Sequence, residues 1–141
     1  MSRTDIEESL ELSLDFGKID SITGSGVIPV CVQDIATREV LLIAYVNSTA
    51  LEESIRRRKV ILWSTSRSCL WYKGDTSGNT YTLHRVLVNC EQNSLVFLAS
   101  PDRGGICHTM SGDEYRRTCY YREIDFETGK LKMLPIKENN T

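Results

Sequence analysis

The stretch "GVIPVCVQDIATREVLLIAYV", residues 26–46, decides the fold class. Two runs dense in valine, isoleucine and leucine flank the polar segment "DIATRE", the pattern of two strands joined by a turn. It reads as a β-hairpin. The next segment, "NSTALEESIRRRK", offers Asn47, Ser48 or Thr49 as a helix cap. Thr49 with Glu52 matches a capping box, and acids precede bases along the helix dipole, which predicts a helix over 49–59. Beyond it, "VILWSTS", "YTLHRVLV", "SLVFLAS" and "YYREIDF" are all β-like, and "RSCLWYKGDTSGN" lies between the first two. Upstream, Ile6, Leu10 and Leu14 recur every fourth residue in "DIEESLELSLDF", which predicts a short amphipathic helix over 5–16. Strands outnumber helices, so the expected class is α+β with a mainly antiparallel sheet.

The chain has 141 residues, enough for one domain with a real core, and no repeat, linker or low-complexity segment suggests a second. A net charge of −2 lacks the basic footprint of a protein that grips nucleic-acid phosphates. No apolar run reaches the ~20 residues of a membrane helix, and the acidic start "MSRTDIEESLELSLDFGK" is unlike a secretory signal. The expectation is a cytoplasmic protein that binds neither nucleic acid nor membrane. Five cysteines cannot all pair, and a reducing compartment keeps them as thiols. The basic run Arg56, Arg57, Arg58 and Lys59 reads as a charged helix end beside its own C-terminal dipole.

Chemistry concentrates between residues 90 and 119. Cys90, Cys107 and Cys119 sit where strand patterns end or a glycine-rich loop begins, positions that a core cysteine avoids. Three thiolates with one position open would make a catalytic zinc site that activates water. Their spacings match no common short zinc motif, so incidental thiols are the competing reading. His108, beside Cys107, can be a fourth ligand, a general base or a loop histidine bonded to backbone. Cys31, inside an apolar strand, reads as a small hydrophobe; Cys69 has no partner nearby in sequence, and His84 reads as a structural strand histidine. The segment "WYKGDTSGN" collects Lys73, Asp75, Thr76 and Ser77 between glycines, which suits either a phosphate or ribose contact or a polar hairpin turn.

Taken together, "VQDIATREVLLIAYVNSTAL", "LWSTSRSCLWYKGDTSGN" and "GGICHT…C" resemble the phosphoribosyl-AMP cyclohydrolase family of histidine biosynthesis, in order and spacing, over residues 17–121. The family shows a serine, an arginine, Leu-Trp, a lysine and then Gly-Glu-Thr-Ser-Gly. Here Ser64, Arg67, Leu70, Trp71, Lys73, Gly74, Asp75, Thr76, Ser77 and Gly78 hold those positions, with Asp75 for the glutamate. The resemblance implies hydrolysis of the N1–C6 bond of the adenine ring of phosphoribosyl-AMP. It also implies zinc on Cys90, Cys107 and Cys119, shared between two chains of an intertwined homodimer. By the same carry-over His108 is the catalytic acid or base, and Arg67, Trp71, Lys73, Asp75, Thr76 and Ser77 bind substrate.

Two departures stand out. Where the family carries three magnesium-binding aspartates around its first cysteine, this chain reads "NCEQN", with Asn89, Glu91 and Asn93 at those positions. Losing two negative charges weakens a site for a hard cation. The family also separates its last two cysteines by six residues, whereas "HTMSGDEYRRT" supplies eleven here, an insertion that a longer surface loop would absorb. The departures motivate two alternatives: a paralogue acting on another purine-like nucleotide, and a non-catalytic nucleotide- or metal-binding relative.

Overall fold

The computed structural model describes residues 16, 26–74, 78–103, 110–111 and 114–134. The hairpin read from the sequence is present as β1 (Ile28–Asp34) and β2 (Val40–Val46), antiparallel, with Ile28 opposite Val46. Along β1 every second side chain is buried, so Ile28, Val30, Val32 and Asp34 face the core. A register shift between Val32 and Gln33 interrupts the alternation on β2, where the consecutive Leu41 and Leu42 are both buried. The turn is built by Asp34, whose Oδ1 accepts from the N–H groups of Ala36 at 2.8 Å and Thr37 at 3.1 Å.

Helix α1 (Ser48–Arg57) follows. Its cap is Asn47, whose side chain accepts from Ala50 N at 2.8 Å, so the predicted Thr49–Glu52 box is not the cap and the helix begins a residue earlier. Arg58, left-handed at φ 56°, ends it with an N–H bond to Ser54 O. Within the basic run, Arg56 and Arg57 reach Glu53 at 2.7 and 2.8 Å. Ala50, Leu51 and Ser54 form the buried face. The Ser54 hydroxyl lies 2.8 Å from both Ala50 O and Ile61 O and accepts from Ile61 N at 3.0 Å, stitching α1 to the next strand.

That strand is β3 (Ile61–Ser64), which turns back into β4 (Cys69–Tyr72). The second of these lies inside "RSCLWYKGDTSGN", which the sequence pattern does not predict as a strand; its apolar residues Leu70 and Trp71 pack on the core and pull it into the sheet. Strands β5 (Tyr81–Val88) and β6 (Leu95–Pro101) complete a six-stranded sheet of order β4-β3-β2-β1-β6-β5. Every pairing in it is antiparallel except β1 with β6, so the α+β, mainly antiparallel class holds.

The sheet curls until its ends meet. The N–H of Val60 bonds to Tyr81 O and that of Leu83 to Arg58 O, so the residues leading into β3 cover the β5 edge. Asp102 pins this seam, accepting from Lys59 Nζ at 2.7 Å, Thr80 Oγ1 at 2.8 Å and Thr82 Oγ1 at 2.6 Å. Burial works to raise its carboxyl, but these hydrogen bonds outweigh it and hold the group below the usual carboxylate range.

Two small ribbons follow. Strands β7 (Met110–Ser111) and β8 (Glu114–Tyr115) pair with each other, so the insertion expected as a longer loop is absorbed by a hairpin. The predicted strand in "YYREIDF" is β9 (Arg122–Ile124), but it pairs with β10 (Leu131–Met133) and not with the main sheet. Of the helix predicted over 5–16, only Phe16 falls within the described residues, where it is helical and packs on the core. Among the described residues no helix is long and apolar enough to cross a membrane.

Candidate functional site

The segment Arg117 to Tyr120 docks along β2. Because β3 pairs with β2 at Tyr45↔Trp63, near the far end of β2, the first half of β2 keeps carbonyls facing outward on that side. The Thr118 hydroxyl donates to Val40 O at 2.7 Å and the Cys119 N–H to Leu41 O at 2.8 Å. The backbone of Cys119 is thus fixed while its side chain remains exposed. Arg117 anchors the segment from below, its guanidinium 3.8 Å from buried Asp34 and 3.6 Å from Glu39. Tyr81 lies in the same region: burial first, then the negative charge of Asp34, pushes its phenol well above its ordinary value, and Cys119 adds to the rise.

Two carboxylates drawn together on the protein side of this segment need the guanidinium between them. Arg117→Ala is therefore expected to cost about 2 kcal/mol of stability, less than a fully buried pair because Arg117 keeps a third of its side chain in solvent. Urea denaturation measures it; a change under about 0.5 kcal/mol would show that the anchor is idle.

Cys90 occupies the turn from β5 to β6, exposed, between Asn89 and Glu91. Strands β2, β1 and β6 separate that turn from the outer edge of β2 where Cys119 sits. Cys90 and Cys119 are thus carried by different elements of the chain, one by the β5–β6 turn and the other by the segment along β2. No group of three metal-binding side chains is present among the described residues, and Cys107 and His108 lie outside them. The donor chemistry suits zinc nonetheless, since Cys90 and Cys119 are surface thiols and not core hydrophobes. Cys31 is half-buried on β1, on the face away from Ile28, Val30 and Val32, and burial raises its thiol. His84 bonds Ser100 at 2.7 Å across β5 and β6.

The residues expected to bind substrate follow β3. The turn joining β3 to β4 is held by Ser64, whose Oγ accepts from Arg67 N at 3.3 Å, leaving Arg67 exposed. Trp71 packs on the core, and the Lys73 ammonium, on a largely buried residue, stands 4.9 Å from the Trp71 ring centre. Gly74 then opens a loop that closes with Gly78 N–H on Gly74 O at 2.7 Å; Asp75, Thr76 and Ser77 within it lie outside the described residues. Arg103 is a further cation here that the sequence reading missed, its Nη1 3.8 Å from where a Cβ on Gly78 would be. Nothing local in "SPDRGG" announces it, because the contact exists only once β6 returns beside β5.

The fold is a small α+β domain built on one curled, mainly antiparallel sheet. The sequence model of phosphoribosyl-AMP cyclohydrolase matches residues 42–121. The phosphoribosyl-AMP cyclohydrolase of Erythrobacter litoralis is 39% identical over 125 residues, 89% of this chain and 93% of its own length. That of Cenarchaeum symbiosum is 41% identical over 107 residues, 76% of this chain and 94% of its own. The histidine biosynthesis bifunctional protein HisIE of Thermus thermophilus is 44% identical over 99 residues, 70% of this chain but 44% of that longer protein. The chain belongs to the phosphoribosyl-AMP cyclohydrolase family.

Proposed function

We propose that this chain is a cytoplasmic, zinc-dependent phosphoribosyl-AMP cyclohydrolase that opens the N1–C6 bond of the adenine ring in histidine biosynthesis. Family membership over most of the chain is the observation that carries the reading. Zinc, when bound, supplies a Lewis acid that makes water acidic near neutral pH. In the reaction the elements of water add across the ring bond: oxygen ends on C6, one proton on N1 as the bond between them breaks, and the other proton on the exocyclic nitrogen of C6, which becomes a carboxamide. His108, next to Cys107, is the residue we assign to carry that proton. Arg67, Lys73 and Arg103 supply positive charge for the phosphates, Trp71 an aromatic surface, and Asp75, Thr76 and Ser77 hydrogen bonds to the nucleotide.

The working unit in this reading is a homodimer. Cys90 and Cys119, carried by different elements of the chain, reach a common zinc when a second chain brings its own copy of one of them, with Cys107 as the third ligand. Metal loading and dimer stability are then linked, because a ligand shared by two chains stabilises their assembly. Zinc-loaded protein incubated with phosphoribosyl-AMP should give the ultraviolet change of purine ring opening, and a flat trace would refute the activity. A panel of other purine nucleotides distinguishes a paralogue, which would turn over one of them faster.

A further inference from the structure

The loop that carries Cys90 is closed by hydrogen bonds among its own side chains and backbone. Its backbone is closed by Asn89 N–H on Ser94 O at 3.3 Å and Gln92 N–H on Asn89 O at 3.0 Å, with Gln92 left-handed at φ 53°. Asn89 Oδ1 accepts from the N–H groups of Asn93 and Ser94, both at 2.9 Å. Two backbone donors on one atom fix that atom as the oxygen, so the other end of the amide is its NH2. This NH2 donates to Asn93 Oδ1 at 2.7 Å. The Asn93 NH2 is in turn left for Glu91, whose Oε2 accepts it at 3.3 Å. One orientation satisfies the whole chain of contacts.

Now consider carboxylates at 89 and 93. An aspartate at 89 turns the 2.7 Å donor–acceptor contact into two oxygens facing one another. An aspartate at 93 does the same toward Glu91. Three carboxylates in that arrangement repel unless a cation or a proton stands between them. The two amides supply the missing hydrogens instead; Asn89 Oδ1 already accepts from two backbone N–H groups and Asn93 Oδ1 from the Asn89 amide. The residues therefore do not fit the magnesium that the resemblance implies.

We infer that in this chain the Asn89–Asn93–Glu91 hydrogen-bond chain takes the structural role of a divalent cation, holding the Cys90 turn in place, and that the protein works without magnesium. The inference rests on the family reading of Cys90 but concerns the loop itself, so it can fail separately. Asn89 and Asn93 are positioning residues here.

The test uses purified full-length protein loaded with zinc and freed of other divalent ions. Magnesium chloride, and manganese as its paramagnetic stand-in, are titrated into the wild type and into Asn89→Asp/Asn93→Asp. For the wild type we expect no manganese binding at micromolar levels, and a melting temperature and ring-opening rate that magnesium leaves unchanged. The double variant should melt lower without magnesium, recover on its addition, and bind manganese at least about tenfold more tightly than the wild type. A wild type that binds manganese at micromolar levels, or that melts higher in magnesium, overturns the inference. So does a double variant that is indifferent to both ions. If that variant does not fold, the wild-type titration decides alone. An inactive wild type with the expected metal behaviour would count against the proposed reaction and leave this loop assignment standing.

Discussion

Replacing Cys119 by serine is expected to lower turnover of phosphoribosyl-AMP at least about a thousandfold, on the order of 4 kcal/mol of transition-state stabilisation, with zinc content falling in parallel. The prediction is sharp because the side chain is exposed and the segment is held through other atoms. Cys119 bonds Leu41 through its backbone and Thr118 bonds Val40 through its hydroxyl, and neither bond needs the sulfur. Stability of the metal-free protein should therefore change by less than about 0.5 kcal/mol. Cys69→Ser is the matched control: an exposed thiol on β4 that neither structure nor family assigns to metal, and its replacement should leave rate and zinc content untouched. Metal analysis beside the ring-opening assay reads both results. A Cys119→Ser protein that keeps its zinc and its rate would remove Cys119 from the ligand set.

The second large effect is structural and falls at the loop between Gly74 and Gly78. Gly74 has φ +90°, and a Cβ there would lie 2.3 Å from Asn79 C, 2.4 Å from its O and 2.5 Å from Thr80 N. All three atoms are backbone and Asn79 is buried, so nothing nearby yields cheaply. Gly74→Ala should cost about 4 kcal/mol or more, adding steric displacement to the penalty of a positive φ. Gly78→Ala separates the two contributions. At φ +78° it carries the backbone penalty, but its nearest neighbour is the flexible Arg103 side chain at 3.8 Å. Its cost should be about 1 kcal/mol. Urea unfolding of both variants gives the comparison, and equal losses would mean that the close approach of residues 74 and 79 is not maintained in solution.

How far the sequence could be read depended on whether the governing interaction was local. The hairpin over residues 26–46 was legible because dense β-branched residues and a polar turn act within a short span, and Asp34 builds that turn with its immediate neighbours. The helix was legible too, but three successive capping residues left its start ambiguous, and only backbone geometry selects Asn47. Strand β4 escaped because "CLWY" sits among turn-forming residues, and its strand character comes from packing Leu70 and Trp71 against a core made elsewhere. The strand in "YYREIDF" was legible as a strand but not as a member of its own ribbon, since partner choice is not written in a single strand.

The same division runs through the candidate site. The order Cys90, Cys107, Cys119, the Ser64 to Asn79 segment and the asparagines around Cys90 were legible in the sequence, the cysteines by residue type and position, the other two through the family resemblance. Tertiary structure alone decided that Arg117 anchors the Cys119 segment to Asp34 and Glu39 and that Arg103 comes up beside Gly78. The physical reason is register. Spacing along the chain sets which groups are available, but which of them meet is settled only when β2, β1, β6 and β5 lock side by side and the loops between them are brought to their ends.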